Sequence, residues 1–325
     1  MVVFQGVVDT GVSARLLADI ATALAEQGAT GENLLREYLT EVPADLELAL
    51  RPHLALPDRT SGTAVISGLL EAFDDPGPTP GHWSDQQTDR ARALDVALVL
   101  IASVIGKVFG WAGQQDGRLV HNILPSNGYE QMQVGASSTT PLVWHTEDSF
   151  HPARADLLML ACVRNNNGIG SKVASIRETR LTDDQIAQLH RPIATIMPDD
   201  SYPTDWRTPE DGGGIPTLWD AEDGLCMRYD PYYSKLPADD AEPAFLDAYT
   251  ALGAALDACG RTLPISAGDI LIIDNDVTVH GRSSFTPRYD GTDRWLKRLL
   301  IRLPRQRPDW ERFEHGFGQA TVESR

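Results

Sequence analysis

Cysteine is scarce in this 325-residue chain: Cys162, Cys226 and Cys259 lie far apart, and no CxxC occurs. That argues against a disulfide framework and against a thiolate metal site, and leaves all three as small hydrophobes. Basic residues are outnumbered, 28 Lys and Arg against 46 Asp and Glu, for a formal charge of −18. So acidic a surface argues against nucleic acid and anionic membranes as partners. It suits a cytoplasmic enzyme with a neutral or cationic small substrate. The longest apolar segment, 93–113, is interrupted by Asp95 and Lys107 and reads as a buried helix, not a membrane span. The opening residues MVVFQGVVDTG lack the basic flank of a secretory signal. Internal repeats and low-complexity tracts are missing as well.

What is present is an ordinary globular composition, 42% hydrophobic and 23% charged. Apolar spacing predicts helices over 12–28, 32–42 and a long one running to about residue 110. A short strand is expected at 62–70 and a Pro/Gly loop at 74–83. After residue 118 the pattern changes to short β-branched runs separated by turn residues, with strands at RLVHNILP, TPLVWHTED, ADLLMLACVR, SKVASIRE and LPISAGDILIIDNDVTVHG. Helices are expected at 183–190 and 239–260, a last strand at 294–304, and a polar, Gly-rich lid at 198–220. The chain therefore reads as one domain over 1–325: a helical part at 1–117 and a β-sandwich or barrel core at 118–304.

The stretch VWHTEDSFHPARAD (143–156) carries His145 and Glu147, which share a face if the segment is a strand. Such a tripeptide also suits an ordinary surface strand. His280, after the apolar strand DILIID and beside a glycine, is the candidate third ligand. Two His and one carboxylate leave coordination positions open, as in non-heme Fe(II) oxygenases; zinc hydrolases also use three ligands, so the metal stays open at this level. Arg294 and Arg298 share a strand face about 13 Å apart, at about 3.3 Å per residue. An inward arginine is costly unless it meets an anion, and two of them could clamp two carboxylates. A solvated edge strand is the competing explanation.

The motifs WHTEDSFHPARADLLMLACVRN (144–165), KVASIRE (172–178) and DNDVTVHGRSSFTPRYDGTDRWLKR (274–298) resemble the clavaminate synthase-like branch of Fe(II)/2-oxoglutarate oxygenases. The similarity is greatest to the hydroxylases of free arginine and asparagine. It spans about residues 120–303, and the separations of 14 and 18 residues from His280 to Arg294 and Arg298 match the family's. The resemblance implies a mainly β fold with flanking helices, a double-stranded β-helix or jelly roll. It implies Fe(II) held by His145, Glu147 and His280, with 2-oxoglutarate and O2 as cosubstrates. Arg294, helped by Ser171, would bind 2-oxoglutarate, and Arg298 the substrate α-carboxylate. Glu147, Gln114, Gln115 and the stretch around Gly135 to Ser138, Ser137 included, would contact the substrate backbone. Hydroxylation at C3 is the family's usual outcome, and antibiotic biosynthesis a frequent setting.

The substrate side chain needs readers beyond the metal. Asp230 in MRYDPYYSK and Asp199 or Asp200 in the lid are the candidates, since a guanidinium favours planar acid partners. Tyr232 stands where a second acid would complete a pair, so lysine, citrulline, asparagine or a cyclic arginine relative compete with arginine. Asp230 also suits a turn before Pro231. Asp276 could orient a ligand or cap a turn. His53, His82, His190 and His315 read as surface groups; His121 and His151 read as packing or hydrogen-bonding groups near the motif. Three rival classes remain at this stage: a hydroxylase of a carrier-tethered amino acid, a jelly-roll metal enzyme without O2 chemistry, and a binding module. Oligomeric state is not legible.

Overall fold

The structure is a computed structural model that describes residues 9–202, 213–238, 240–314 and 316–324. His315 and residues 203–212 of the expected lid lie outside the described residues. Helix α1 (Thr10–Glu26) starts at Asp9, whose carboxylate accepts the Gly11 N–H, and α3 (Asp89–Ile105) starts at Thr88, whose hydroxyl accepts the Ala91 N–H. Between them lies the short α2 (Ala44–Leu50). Later come α4 (Asp183–Leu189) and α5 (Pro243–Cys259).

Strand order in the larger sheet is β1 (Thr63–Ile66), β13 (Ile270–Asp274), β5 (Leu157–Arg164), β15 (Trp295–Arg302), β2 (Lys107–Trp111) and β16 (Thr321–Glu323); β3 (His121–Ile123) also pairs with β15. The smaller sheet runs β12 (Arg261–Leu263), β6 (Ser171–Ser175), β14 (Thr278–Arg282) and β4 (Leu142–His145). Outside these lie β7 (Pro192–Ile196) with β8 (Ile215–Pro216) and β11 (Ser234–Lys235), and the hairpin of β9 (Leu218–Ala221) and β10 (Gly224–Met227).

Alternation along each strand decides what faces what. On β5, Leu158, Leu160 and Cys162 point between the sheets, beside Leu271 and Ile273 of β13, Leu296 and Leu300 of β15 and Val173 of β6. Leu157, Met159, Ala161, Ile270, Ile272, Leu299 and Ile301 point the other way, onto α1 and α3. The smaller sheet turns Trp144, Ala174 and Val279 outward against Phe245, Leu252 and Leu256 of α5. Two antiparallel sheets with helices on both outer faces form the jelly-roll core expected from the sequence, and every pairing among them is antiparallel.

Several element boundaries differ from expectation. The long helix stops at Ile105, and residues 107–111 form β2 instead; Gly106 adopts an extended backbone there, where a Cβ would lie 2.5 Å from the Arg302 carbonyl. The expected helix at 32–42 is only a five-residue π turn, Leu34–Tyr38. The strand at 294–304 is not last, because β16 follows it. Asp95 is not an interruption of α3: its carboxylate lies 2.5 Å from Nζ of Lys297, which points under the helix because 297 has the parity of Leu299 and Ile301. No helix among the described residues is long and apolar enough to cross a membrane.

Candidate metal and anion site

His145 ends β4 and pairs directly with His280 on β14. Their rings lie 4.2 Å apart between centroids. Gly281 permits the approach, since a Cβ there would sit 2.6 Å from the Leu142 carbonyl. Two residues beyond His145, Glu147 turns to the same side, with Oε2 3.3 Å from Nε2 of His280. Ligand atoms of His145, Glu147 and His280 all lie within 4.8 Å of one another. His145 Nδ1 is 2.9 Å from the Val143 carbonyl, so that nitrogen carries the proton and Nε2 the lone pair. Burial, then His145, hold the His280 imidazole down to about 4. Burial opposes ionisation of Glu147, but Arg298 and His280 outweigh it and hold the carboxyl well below its usual range. Two imidazoles and one carboxylate converge, a donor set that fits a divalent metal.

Beside this cluster lies a positive recess. Arg294 donates from Nη2 to Ser171 Oγ at 3.1 Å, and its Nε is buried with no partner. Arg282 donates to the carbonyls of Ser138, Ser283 and Thr140 and to Ser137 Oγ. Neither arginine meets a carboxylate among the described residues. Burial pushes both guanidinium groups down to about 10. Two buried cations without a counter-ion are costly, and a bound anion relieves that cost.

Arg298 lies on the same inward face of β15 as Leu296 and Leu300, as its parity requires. Nη1 contacts Glu147 Oε1; Nη2 donates to Gln114 Oε1 at 2.8 Å and approaches His121 Nδ1 at 2.5 Å. Burial, then the Arg298 charge, hold His121 down to about 3.

The cavity walls include Asp199, Asp230, Tyr232 and Tyr233 together with these groups. Asp230 Oδ1 accepts the N–H groups of Tyr232 and Tyr233, each at 3.0 Å, so the turn role and the cavity role coexist. Burial raises the carboxyl pKa of both Asp199 and Asp230. The first residues of the expected lid are tied down. Tyr233 donates to Asp200 at 2.9 Å, Gln114 to Ser201 at 3.0 Å, and Tyr202 to Asp148 at 2.7 Å. Asp148, also held by Trp111 Nε1 at 2.7 Å, is pushed up to about 7 by burial and then by Glu147.

Three expectations need correction. Gln115 does not reach the cavity: its amide pairs with the backbone N–H and carbonyl of Asn122, each at 3.0 Å, because the turn at 115–116 is left-handed. Ser137 is turned to Arg282, 2.9 Å away, and supports the recess from behind. Asp276 orients no ligand; it is buried among Arg154, Arg305 and Arg307. Two residues went unnamed in the sequence. Arg282 is two positions after His280 on one strand, a parity signal that was available. Asn275 accepts the Glu147 N–H at 2.7 Å and donates to the Glu147 carbonyl at 2.9 Å. Nothing in a three-residue turn announces a partner 128 positions away.

Residues 85–300 match the family described as taurine catabolism dioxygenase TauD, TfdA family. The chain is 36% identical over 296 residues to an L-ornithine/L-arginine 3-hydroxylase of Catenulispora acidiphila, covering 82% of this chain and 85% of the relative. It is 33% identical over 289 residues to an enduracididine beta-hydroxylase of Streptomyces hygroscopicus, covering 82% and 83%. The non-heme iron oxygenase OrfP, solved with Fe, succinate and (3S)-hydroxy-L-Arg, superposes with a TM-score of 0.75 at 33% identity, covering 90% of this chain and 92% of that one. OrfP has also been solved with Fe and alpha-ketoglutaric acid.

Proposed function

The chain belongs to the TauD/TfdA family of dioxygenases, and on that premise we propose that it hydroxylates a free L-amino acid at C3, with arginine or another basic or polar amino acid as substrate. It is an Fe(II)- and 2-oxoglutarate-dependent oxygenase that uses O2. His145, Glu147 and His280 would hold the iron. The bound ion, with 2-oxoglutarate and O2, supplies the oxidant for one C–H bond; one oxygen atom enters the product, the other enters succinate, and CO2 leaves.

The remaining work falls to the protein. Arg294, positioned by Ser171, takes the distal carboxylate of 2-oxoglutarate, with Arg282 adding charge behind it. Arg298 takes the α-carboxylate of the substrate. Glu147 meets its backbone groups and Asp230 and Asp199 a cationic side chain; Gln114, expected at the substrate backbone, instead engages its amide with Arg298 and Ser201. Tyr202, anchored on Asp148, fixes the backbone close to Asp199 in the cavity wall. The observation that carries the substrate class is the lining of one cavity, which holds Arg298 together with Asp199 and Asp230. An amino acid with a basic side chain carries the complementary charges. Location in the cytoplasm belongs to the same proposal.

Anaerobically purified protein with Fe(II), 2-oxoglutarate and O2 should form succinate in response to one or more of arginine, ornithine, lysine, citrulline, asparagine or a cyclic arginine relative, with a product one oxygen heavier. Response only to an aminoacyl thioester on a carrier would replace a free substrate with a tethered one. Loss of Asn275 should be felt at the metal. Asn275→Ala frees the backbone on both sides of Glu147 and should weaken Fe(II) binding about 10- to 100-fold, measured by anaerobic titration calorimetry. An unchanged dissociation constant would remove Asn275 from the site.

A further inference from the structure

Nη2 of Arg298 is gripped by two uncharged acceptors, Gln114 and His121, while Nη1 meets the Glu147 carboxylate. His121 lies directly opposite it, in register across β3 and β15, and is 1% exposed. The imidazole has two fixed neighbours. Nε2 is 3.0 Å from the Arg118 carbonyl, which can only accept a hydrogen bond. Nδ1 is 2.5 Å from Arg298 Nη2, which can only donate. These neighbours set one tautomer, with the proton on Nε2 and the lone pair on Nδ1 aimed at the guanidinium. A second proton on Nδ1 would face an N–H, so the ring stays neutral. Gln114, the other acceptor on Nη2, is neutral too. Together they pin Nη2 and turn Nη1 toward the cavity, where it meets Glu147.

We propose that His121 is a positioning residue for amino-acid recognition: it orients Arg298 as an uncharged acceptor, so that the guanidinium is aligned for the substrate carboxylate without a further negative charge beyond that of Glu147. A carboxylate at position 121 would align the group equally well but would compete with the substrate for its charge. This role rests on Arg298 binding the α-carboxylate as proposed above.

The test has two arms. In metal-free protein with 15N-labelled histidine, the His121 ring should show a protonated Nε2 and a hydrogen-bonded Nδ1. In Arg298→Met the Nδ1 resonance should move toward that of a free acceptor; no movement would overturn the contact. In the kinetic arm, run with the panel amino acid that gives most succinate, His121→Ala should raise the amino-acid KM about tenfold or more, the weight of a hydrogen bond to a charged group. Its kcat and its KM for 2-oxoglutarate should stay near wild type. His121→Asn places an oxygen near the position of Nδ1 and should restore the amino-acid KM, whereas His121→Asp should not. An unchanged KM in a folded His121→Ala, a parallel rise in the 2-oxoglutarate KM, or an Asp variant as good as the Asn variant would each overturn the proposal. A wild-type protein with no amino-acid-dependent succinate would defeat the functional assignment instead, and the labelled-histidine arm would still decide the contact.

Discussion

Arg298→Ala is expected to remove turnover of a free amino acid, on the order of 10³-fold in kcat/KM, while slow amino-acid-independent succinate formation persists. The magnitude follows from truncating one partner of an enclosed charge pair, which costs about 2–5 kcal/mol. Arg298→Lys keeps the charge but loses the planar fork that meets Gln114 and His121. It should recover only part of the loss. Because Arg294 and Ser171 are untouched, the KM for 2-oxoglutarate should change little. Succinate assays over a range of both substrates separate these effects. Retained turnover of the free amino acid would mean that its carboxylate lies elsewhere.

The second large effect concerns stability. Lys297 is fully enclosed, with Nζ 2.5 Å from Asp95, 3.2 Å from Asn122 Oδ1 and 5.0 Å from the centre of the Trp295 ring. Lys297→Met leaves the Asp95 carboxylate under a sheet with no cation, and should cost about 3–5 kcal/mol. The double variant Lys297→Met/Asp95→Leu should recover most of that, because an apolar pair of similar size fits the surroundings. Burial already raises the Asp95 carboxyl pKa against the pull of Lys297. Without the lysine it rises further, so the folded variant keeps a proton that the unfolded chain releases. Stability must then fall as pH climbs above the ordinary carboxylate range. Urea unfolding of the single variant should show a larger deficit at pH 8 than at pH 5. A pH-independent deficit would mean that the carboxylate finds another partner.

Much of this was legible in the sequence because a strand has a period of two. The runs 157–164, 270–274 and 295–302 announced themselves by composition, and parity alone placed Arg294 and Arg298 on one face. His145 and Glu147 followed the same rule, and His280 was marked by its place after an apolar strand and beside a glycine. Parity says nothing in loops, which is why Gln115 and Ser137 were assigned to the cavity although each faces a neighbour instead. Nor does it separate the end of a buried helix from a buried strand: 93–105 and 107–111 both carry mostly apolar residues, and the backbone at Gly106 divides them. The helix at 44–50 hid behind Pro43, and Asn275 acts through a contact that exists only after folding.

Strand β15 carries two unrelated tasks on alternating positions. Leu296 and Arg298, with Arg294 just before the strand, line the cavity and Leu300 packs between the sheets, while 297, 299 and 301 face the helices. Adding or removing one residue within it would exchange the two sets, pushing lysine into the ligand chamber and guanidinium groups beneath the helical layer. Its length is therefore locked as a reading frame is locked. Diversification toward new substrates is left to cavity residues outside the strands, such as Asp199 and Asp230.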